Sequence, residues 1–373
     1  MRLVGWATCV LLLAACHEPS AVAPPPIPAM PEAPPTRPSS ADVDAAPAPP
    51  FVAEKVSGEG RAMGTHLTFA AFTTPRVDAA KTRAAFGAAI KEIQRVEGLM
   101  TTWRDSEISR INVAAGKSAV AVSEETFAII KESVHAASIS EGTFDITFHT
   151  LHGLWKFDED LDPHPPTKAQ IAERLPFVGW KNIELDAEKH TVKLTKARTQ
   201  IGLGGIAKGY AVDRAAKVLL DAGLEAFFVQ AGGDLLARGK KPDGTDWQAG
   251  IRDPRGADGK FFAVLSLSDH AFSTAGDYER SYIVDNKRYH HIIDPRTGMP
   301  ATACRSVTVW APTALLADEI DDAVFILGPD KGMKLVESID GVGAVIVDAK
   351  NNVWVSKRLK EKVILTAAPS DGL

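Results

Sequence analysis

Cysteine is scarce in this chain of 373 residues: there are three, at positions 9, 16 and 304. The first two fall in and at the end of an N-terminal apolar stretch, so Cys304 stands alone in the rest and no internal disulfide can form there. Stability therefore has to come from core packing. A basic stripe is also missing, and the net charge of −5 at pH 7 argues against nucleic acid as a partner. No apolar run is long enough to span a bilayer as a permanent helix, since the run at residues 4–13 is too short. No internal repeat is visible.

What is present begins with Met1-Arg2-Leu3, the apolar run, and then Leu13-Ala14-Ala15-Cys16. A basic start, a short apolar core and small residues at the cut describe an export signal. The cysteine directly after Leu-Ala-Ala resembles a bacterial lipoprotein lipobox. That resemblance implies that residues 1–16 are a signal ending at Cys16 and that Cys16 becomes the lipidated N-terminus. The mature chain would then be exported and anchored to the membrane, facing the periplasm. His17, which is not an acid, permits the outer membrane, and the choice between inner and outer membrane stays open. Residues 17–55 are rich in Pro and Ala and poor in large apolar groups, so they read as an extended tether that buries too little surface to fold. Residues 56–368 form the folded part.

Alternation over residues 64–70 predicts a strand. Apolar residues at helical spacing (Phe86, Ile90, Ile93, Val96) predict a helix over Ala79–Met100. Residues 109–113 read as the end of a loop. Ser123 is placed to cap a helix over residues 124–140, with Gly142 after its end. Strands are expected at 192–194, 227–230, 261–267, 281–284 and 306–310, and helices at 210–222 and 314–327. A hairpin is expected with strands at 344–347 and 353–355. Interleaving without βαβ regularity indicates an α+β fold, a mixed and largely antiparallel sheet with packed helices.

Four segments carry chemistry. In His291-Ile292-Ile293-Asp294-Pro295-Arg296-Thr297-Gly298, a histidine, a carboxylate and a cation crowd a tight turn set by Pro and Gly. It is either a site with a general base or a polar hairpin end; if the strand continues, His290 points to the opposite face from His291. Gly202-Leu203-Gly204-Gly205-Ile206-Ala207-Lys208-Gly209-Tyr210 reads as a strand-to-helix turn of the G-x-G-x-x-A type, fit for phosphate at a helix N-terminus. The next strand is too late and ends in Gly232-Gly233-Asp234, which disfavours a nicotinamide-type fold. In the helix that follows Ala317, Asp318, Glu319, Asp321 and Asp322 put four acids in five residues. Asp318 and Asp322 share one face with Asp321 adjacent, so the run is either a site for Mg²⁺ or Ca²⁺ or a solvated acidic face. Ser273-Thr274-Ala275-Gly276-Asp277-Tyr278-Glu279-Arg280 offers hydroxyls and a cation that suit phosphate, or else forms a polar hairpin. Trp103 sits among polar residues, free to stack on a planar ring or to lie against the core.

These segments together resemble the ApbE-type FAD:protein FMN transferases. The resemblance runs from about Arg61 to Gly343. It rests on Met63-Gly64-Thr65, the block from Thr102-Trp103 through Ser106-Glu107-Ile108-Ser109-Arg110 to Asn112, Gly142-Thr143-Phe144-Asp145 and the glycine turn. It continues through Ala231-Gly232-Gly233-Asp234, the Ser273 segment, the His291 turn and Ala317-Asp318. It implies a T-fold-like flavin transferase architecture, with Mg²⁺-dependent transfer of FMN from FAD to a Ser or Thr hydroxyl of an acceptor flavoprotein and release of AMP. FAD would contact Met63, Trp103, Thr143, Phe144, Asp145, Gly204, Lys208, Tyr210 and Ile293. The metal would lie between the Ala207 carbonyl and Asp318, Asp321 and Asp322. His291 would be the general base, with an ordinary pKa near 6.5 suited to the task. The chain departs from the family pattern at Asp322, usually Thr, and at Gly202, often Asp. Two further readings stay in view: a Mg²⁺-dependent FAD pyrophosphatase giving FMN and AMP, and a non-catalytic FAD-binding lipoprotein of the periplasm.

Overall fold

The computed structural model describes residues 50–157 and 161–372. The signal segment, Cys16 and most of the tether lie outside the described residues. From Phe51 onward the chain forms one compact unit. At its centre is an eight-stranded sheet in the spatial order Lys55–Ala62, Thr65–Phe72, Phe227–Ala231, Asp234–Arg238, His270–Gly276, Cys304–Ala311, Gly343–Asp348 and Val353–Val355. Every neighbouring pair is antiparallel, as the interleaved pattern predicts. Six helices accompany it among the described residues: α1 (Ala79–Met100), α2 (Glu107–Val113), α3 (Glu124–Ile139), α4 (Lys168–Arg174), α5 (Ala207–Asp221) and α6 (Ala314–Ser338).

The sheet is buried on both faces, and the strand period of two explains how one segment feeds two cores. Leu67, Phe69, Val307, Val309, Ala344 and Ile346 point toward α1, α5 and α6. Ala70, Trp310, Val345 and Val347 point the other way, toward a three-stranded sheet of Trp247–Arg252, Phe261–Leu267 and Val363–Leu365. Side chains such as Phe69, Phe227 and Phe325 are fully buried, each worth roughly 1.5–3 kcal/mol. Cys304 is buried and free. No helix among the described residues is long and apolar enough to cross a membrane.

Several boundaries differ from the sequence reading. Residues 109–113 belong to α2 and not to a loop, because Ser106 and Ser109 form a reciprocal capping box that starts a helix at Glu107. Helix α5 begins at Ala207, three residues before the expected start at Tyr210. The segment before the glycine turn, residues 199–203, is irregular and not a strand. Helix α6 runs past the expected end at Leu327: Gly328 breaks it with φ 76° and ψ 177°, and Pro329 opens a second helical stretch to Ser338. The Ser273 segment is divided: Ser273–Gly276 belongs to the interior strand His270–Gly276, and only residues 277–280 form a turn.

Candidate active site

The site assembles where α5 and α6 cross. Gly209 makes the crossing possible, because a Cβ there would collide with the Ala314 carbonyl and lie 2.7 Å from Asp318 Cβ. Asp213, further along α5, accepts the amides of Ala314 and Leu315 at 2.9 Å each and caps the start of α6. In return Asp318 of α6 accepts the Gly209 amide through Oδ2 at 2.9 Å. It thereby supplies the start of α5 with an acceptor that Ile206, at the N-cap, does not provide.

Lys208 is placed by the same crossing. Its Nζ lies 2.7 Å from Asp234 Oδ2 and 3.3 Å from Asp318 Oδ1. Asp234, entirely buried, stands at the end of a two-residue turn, Gly232–Gly233, joining two neighbouring strands. Burial works against the Lys208 charge, but Asp234 and Asp318 outweigh it and raise its pKa. Asp321 accepts from the buried Ser273 hydroxyl at 2.6 Å. Asp322 faces the glycine turn, its Oδ2 only 3.2 Å from where a Gly205 Cβ would sit. The fourth acid of the run, Glu319, is buried near Glu132 of α3, and burial with that neighbour pushes its pKa to about 9.

Four carboxylates therefore converge on one lysine. Burial first, then Asp234, pushes Asp318 up to about 7. Burial, then Asp322 and Asp318, pushes Asp321 well above the carboxylate range. Burial lifts Asp322 to about 6, with Lys208 opposing. Asp234 Oδ1 is buried without a hydrogen-bond partner. This surplus of buried oxygen ligands over cations suits a hard divalent ion. Among the described residues no three carboxylate, imidazole or thiolate groups are arranged to hold a metal ion by themselves. Ala207 is the first residue of α5, and an ion here would complete its shell with further oxygen donors and water, as Mg²⁺ commonly does.

The glycine turn is held from outside. Asn112 of α2 grips the backbone of Ile201 twice, accepting its amide at 2.8 Å and donating to its carbonyl at 2.9 Å. Gly202 donates to the Ile146 carbonyl at 2.9 Å, and Gln200 and Thr150 bond reciprocally. Beyond these anchors the Cβ side of Gly204 meets nothing within 4 Å. Phe144 packs against Gly205, its ring 3.5 Å from the Cβ position, and Thr143 bonds the carbonyls of Ser140 and, at 3.4 Å, Ala323 of α6. The Asp145 carboxylate is engaged by its own fold, accepting from the amide and hydroxyl of Thr147 and from the Trp180 amide.

His291 lies within electrostatic reach of Lys208. Its amide donates to the Arg280 carbonyl at 3.1 Å, and its Nδ1 is buried with no hydrogen-bond partner. Burial, with Arg280 and His290 adding to it, lowers its pKa to about 3, and Lys208 is near enough to contribute. The unperturbed value near 6.5 expected from sequence does not hold, because the imidazole is desolvated among cations. His290 turns to the other side, as the alternation predicts: its Nε2 meets the Ala301 carbonyl at 2.8 Å and its ring meets Phe325 edge-on. Asp294 organises the turn by accepting the Arg296 amide and both ends of its guanidinium, while half-buried Ile293 pairs with Pro300 across the hairpin.

Other sequence candidates are placed apart from the acids. Tyr210 is about 200° around the helix from Lys208, and its hydroxyl donates to Glu125 of α3 at 2.7 Å. Met63 takes φ 52° in the two-residue turn with Gly64 between the first two strands. Trp103 is 73% exposed in the loop between α1 and α2. The sequence offers the Ser273 hydroxyl to phosphate, whereas the fold gives it to Asp321; Asp234 and Asn112 enter only as residues of the resemblance, and Asp213 has no role there. The strand before Asp234 comes too late in the chain to serve a nicotinamide fold, but an antiparallel Gly-Gly hairpin brings Asp234 to Lys208.

The ApbE family model matches residues 63–346. An FAD:protein FMN transferase of Haemophilus influenzae is 31% identical over 311 residues, covering 81% of this chain and 89% of that one. That of Escherichia coli K12 is 30% identical over 314 residues, covering 82% and 88%. Among solved structures, the ApbE protein of Thermotoga maritima superposes with a TM-score of 0.75 at 32% identity, covering 83% of this chain and 99% of that one. The flavin transferase ApbE of Vibrio cholerae gives 0.73 at 27%, covering 83% and 100%.

Proposed function

The chain belongs to the ApbE family, and we propose that it is an FAD:protein FMN transferase acting on a Ser or Thr hydroxyl of an acceptor flavoprotein. The observation that carries the mechanism is the unpartnered, buried Nδ1 of His291, within electrostatic reach of the lysine at the α5–α6 crossing. The acceptor oxygen attacks the phosphorus on the FMN side of the diphosphate. A new P–O bond forms to the acceptor, the bridging P–O bond breaks, and AMP leaves with the bridging oxygen. His291 takes the hydroxyl proton. It is neutral in the free protein, the state a proton acceptor needs, and the arriving anionic diphosphate raises its basicity from the depressed resting value.

Lys208 supplies a fixed positive charge to the diphosphate, and the open Cβ side of Gly204 lets it approach the backbone. Asp318, Asp321, Asp322 and the Ala207 carbonyl are the groups that would hold Mg²⁺, which neutralises developing charge on the diphosphate when bound. Trp103 is an exposed plane available to the flavin ring, with Met63 and Ile293 as further flavin contacts. Asp145 acts by fixing the Thr143–Phe144 loop.

The test is incubation of the purified protein with FAD, Mg²⁺ and an acceptor flavoprotein. A mass gain of one FMN on the acceptor with equimolar AMP is expected; free FMN and AMP with no modified acceptor would replace transfer by hydrolysis. The same reading has the chain exported and anchored through a lipid on Cys16. Labelled palmitate should enter the parent chain but not Cys16→Ser.

A further inference from the structure

Gly202 and His149 are complementary in shape. An ideal Cβ at Gly202 would lie 2.8 Å from His149 Nδ1, 2.9 Å from Cγ and 3.1 Å from Cβ. The imidazole thus fills the room that any side chain at 202 would need. Three pairings fix the two segments in this register: Gly202 to Ile146, and Gln200 to Thr150 in both directions. The ring plane is fixed as well. His149 lies on the 3₁₀ turn Ile146–Leu151, with the His152 ring 4.8 Å away at 31° and the Phe148 ring edge-on at 6.4 Å.

The His149 residue remains partly open to solvent, and Gly202, which it packs against, stands two residues before the exposed Gly204. Burial of the imidazole, with His152 adding to it, lowers the pKa to about 4. At neutral pH the ring is therefore uncharged and presents one donor and one acceptor nitrogen. An uncharged imidazole is a poor partner for phosphate but a good one for a sugar hydroxyl, which also both donates and accepts.

We propose that His149 is a dinucleotide-binding residue of this chain, presenting its imidazole to a sugar hydroxyl of FAD at the Gly202–Gly205 turn in the space left by the missing side chain at 202. This rests on the reading of the turn as the FAD site. It makes the two positions a unit, with the polar group on the 3₁₀ turn because the turn segment itself carries none.

The test compares the parent with His149→Phe, which keeps a ring against His152 but loses both nitrogens, and with His149→Asn, which keeps a neutral donor and acceptor. FAD affinity is read by flavin fluorescence on the purified protein with Mg²⁺ present, alongside melting temperature and transfer rate at saturating FAD. His149→Phe should weaken FAD binding about tenfold, the scale of one lost neutral hydrogen bond, with an unchanged saturated rate and melting temperature. His149→Asn should recover most of the affinity. Gly202→Ala should weaken binding by collision with the ring, and His149→Gly in the same chain should relieve that collision. Parental affinity in His149→Phe, or equal losses in the Phe and Asn variants, overturns the proposal. A parent that binds FAD but never transfers FMN defeats the transferase reading and leaves this affinity test in force. A parent that does not bind FAD defeats both.

Discussion

The Gly209 amide donates to Asp318 Oδ2 at 2.9 Å, and the same glycine lies against the Ala314 carbonyl with no room for a Cβ. One residue thus sets the helix crossing and holds the first acid of the cluster. Gly209→Ala should separate α5 from α6, costing about 1–3 kcal/mol of stability. Lys208 should lose its contact with Asp318, and transfer should fall with it. Urea unfolding and FMN transfer on the same preparation check this; parental stability would show that the helices do not depend on that contact.

His291→Ala should abolish FMN transfer, with a loss of at least about a hundredfold from removal of the proton acceptor. FAD affinity should change little, because the Nδ1 waits for the acceptor hydroxyl. Full transfer activity in this variant would remove the assigned role.

Asp318→Ala should also abolish transfer, and it should lower the Mg²⁺ response. It removes the acceptor for Gly209 and one anchor of Lys208 together. Asp318→Asn keeps an acceptor oxygen for the amide, so it should retain the fold while losing the Mg²⁺ dependence of activity. A Mg²⁺ titration of transfer in both variants separates the structural from the ionic contribution.

Burial raises Asp318 to about 7 and Asp322 to about 6, above the ordinary carboxylate value near 4. The folded protein then holds these protons more tightly than the unfolded chain. The associated stability is complete below the unfolded pKa and is lost as pH rises through about 6 to 7. Without divalent cation, the melting temperature contributed by this cluster should decline from pH 5 to pH 8. Mg²⁺, which replaces the protons, should raise it more at pH 8 than at pH 5. Thermal melts with Mg²⁺ and with chelator at both pH values decide this, and an equal Mg²⁺ shift at the two would contradict it.

Asn112→Ala should remove both bonds to Ile201 and leave that backbone pair unsatisfied, at a cost of about 1–3 kcal/mol. Because Ile201 precedes the glycine turn, the KM for FAD should rise while the rate at saturating FAD changes less. Steady-state kinetics against FAD concentration are the readout; an unchanged KM would make Asn112 a purely structural residue.

Much of this arrangement is legible one segment at a time. Helix α1 follows from the spacing of Phe86, Ile90, Ile93 and Val96, and α3 from Ser123 at its cap. The tight turn after His291 follows from Pro295 and Gly298, the latter at φ 71°. Where local signals compete, the reading slips. Seven residues of α2 carry too little periodicity to show a helix, and the Ser106–Ser109 capping box that starts it uses a serine at the position usually filled by Glu or Gln. Gly328–Pro329 interrupts the pattern that would have extended α6.

The sequence by itself determined the antiparallel α+β class, the helix with its run of acids, the glycine turn and the tight turn that follows His291. Each of these is written in spacing, caps and turn residues, which act over a few positions of chain. Tertiary structure alone decided that Asp234 joins Lys208 from 26 residues away, that Ser273 bonds Asp321, and that His149 fills the space beside Gly202. It also decided the charge states, lowering His291 and raising Asp318. A pKa depends on how completely water is excluded and which charges remain within a few ångströms, and only the packed chain specifies either.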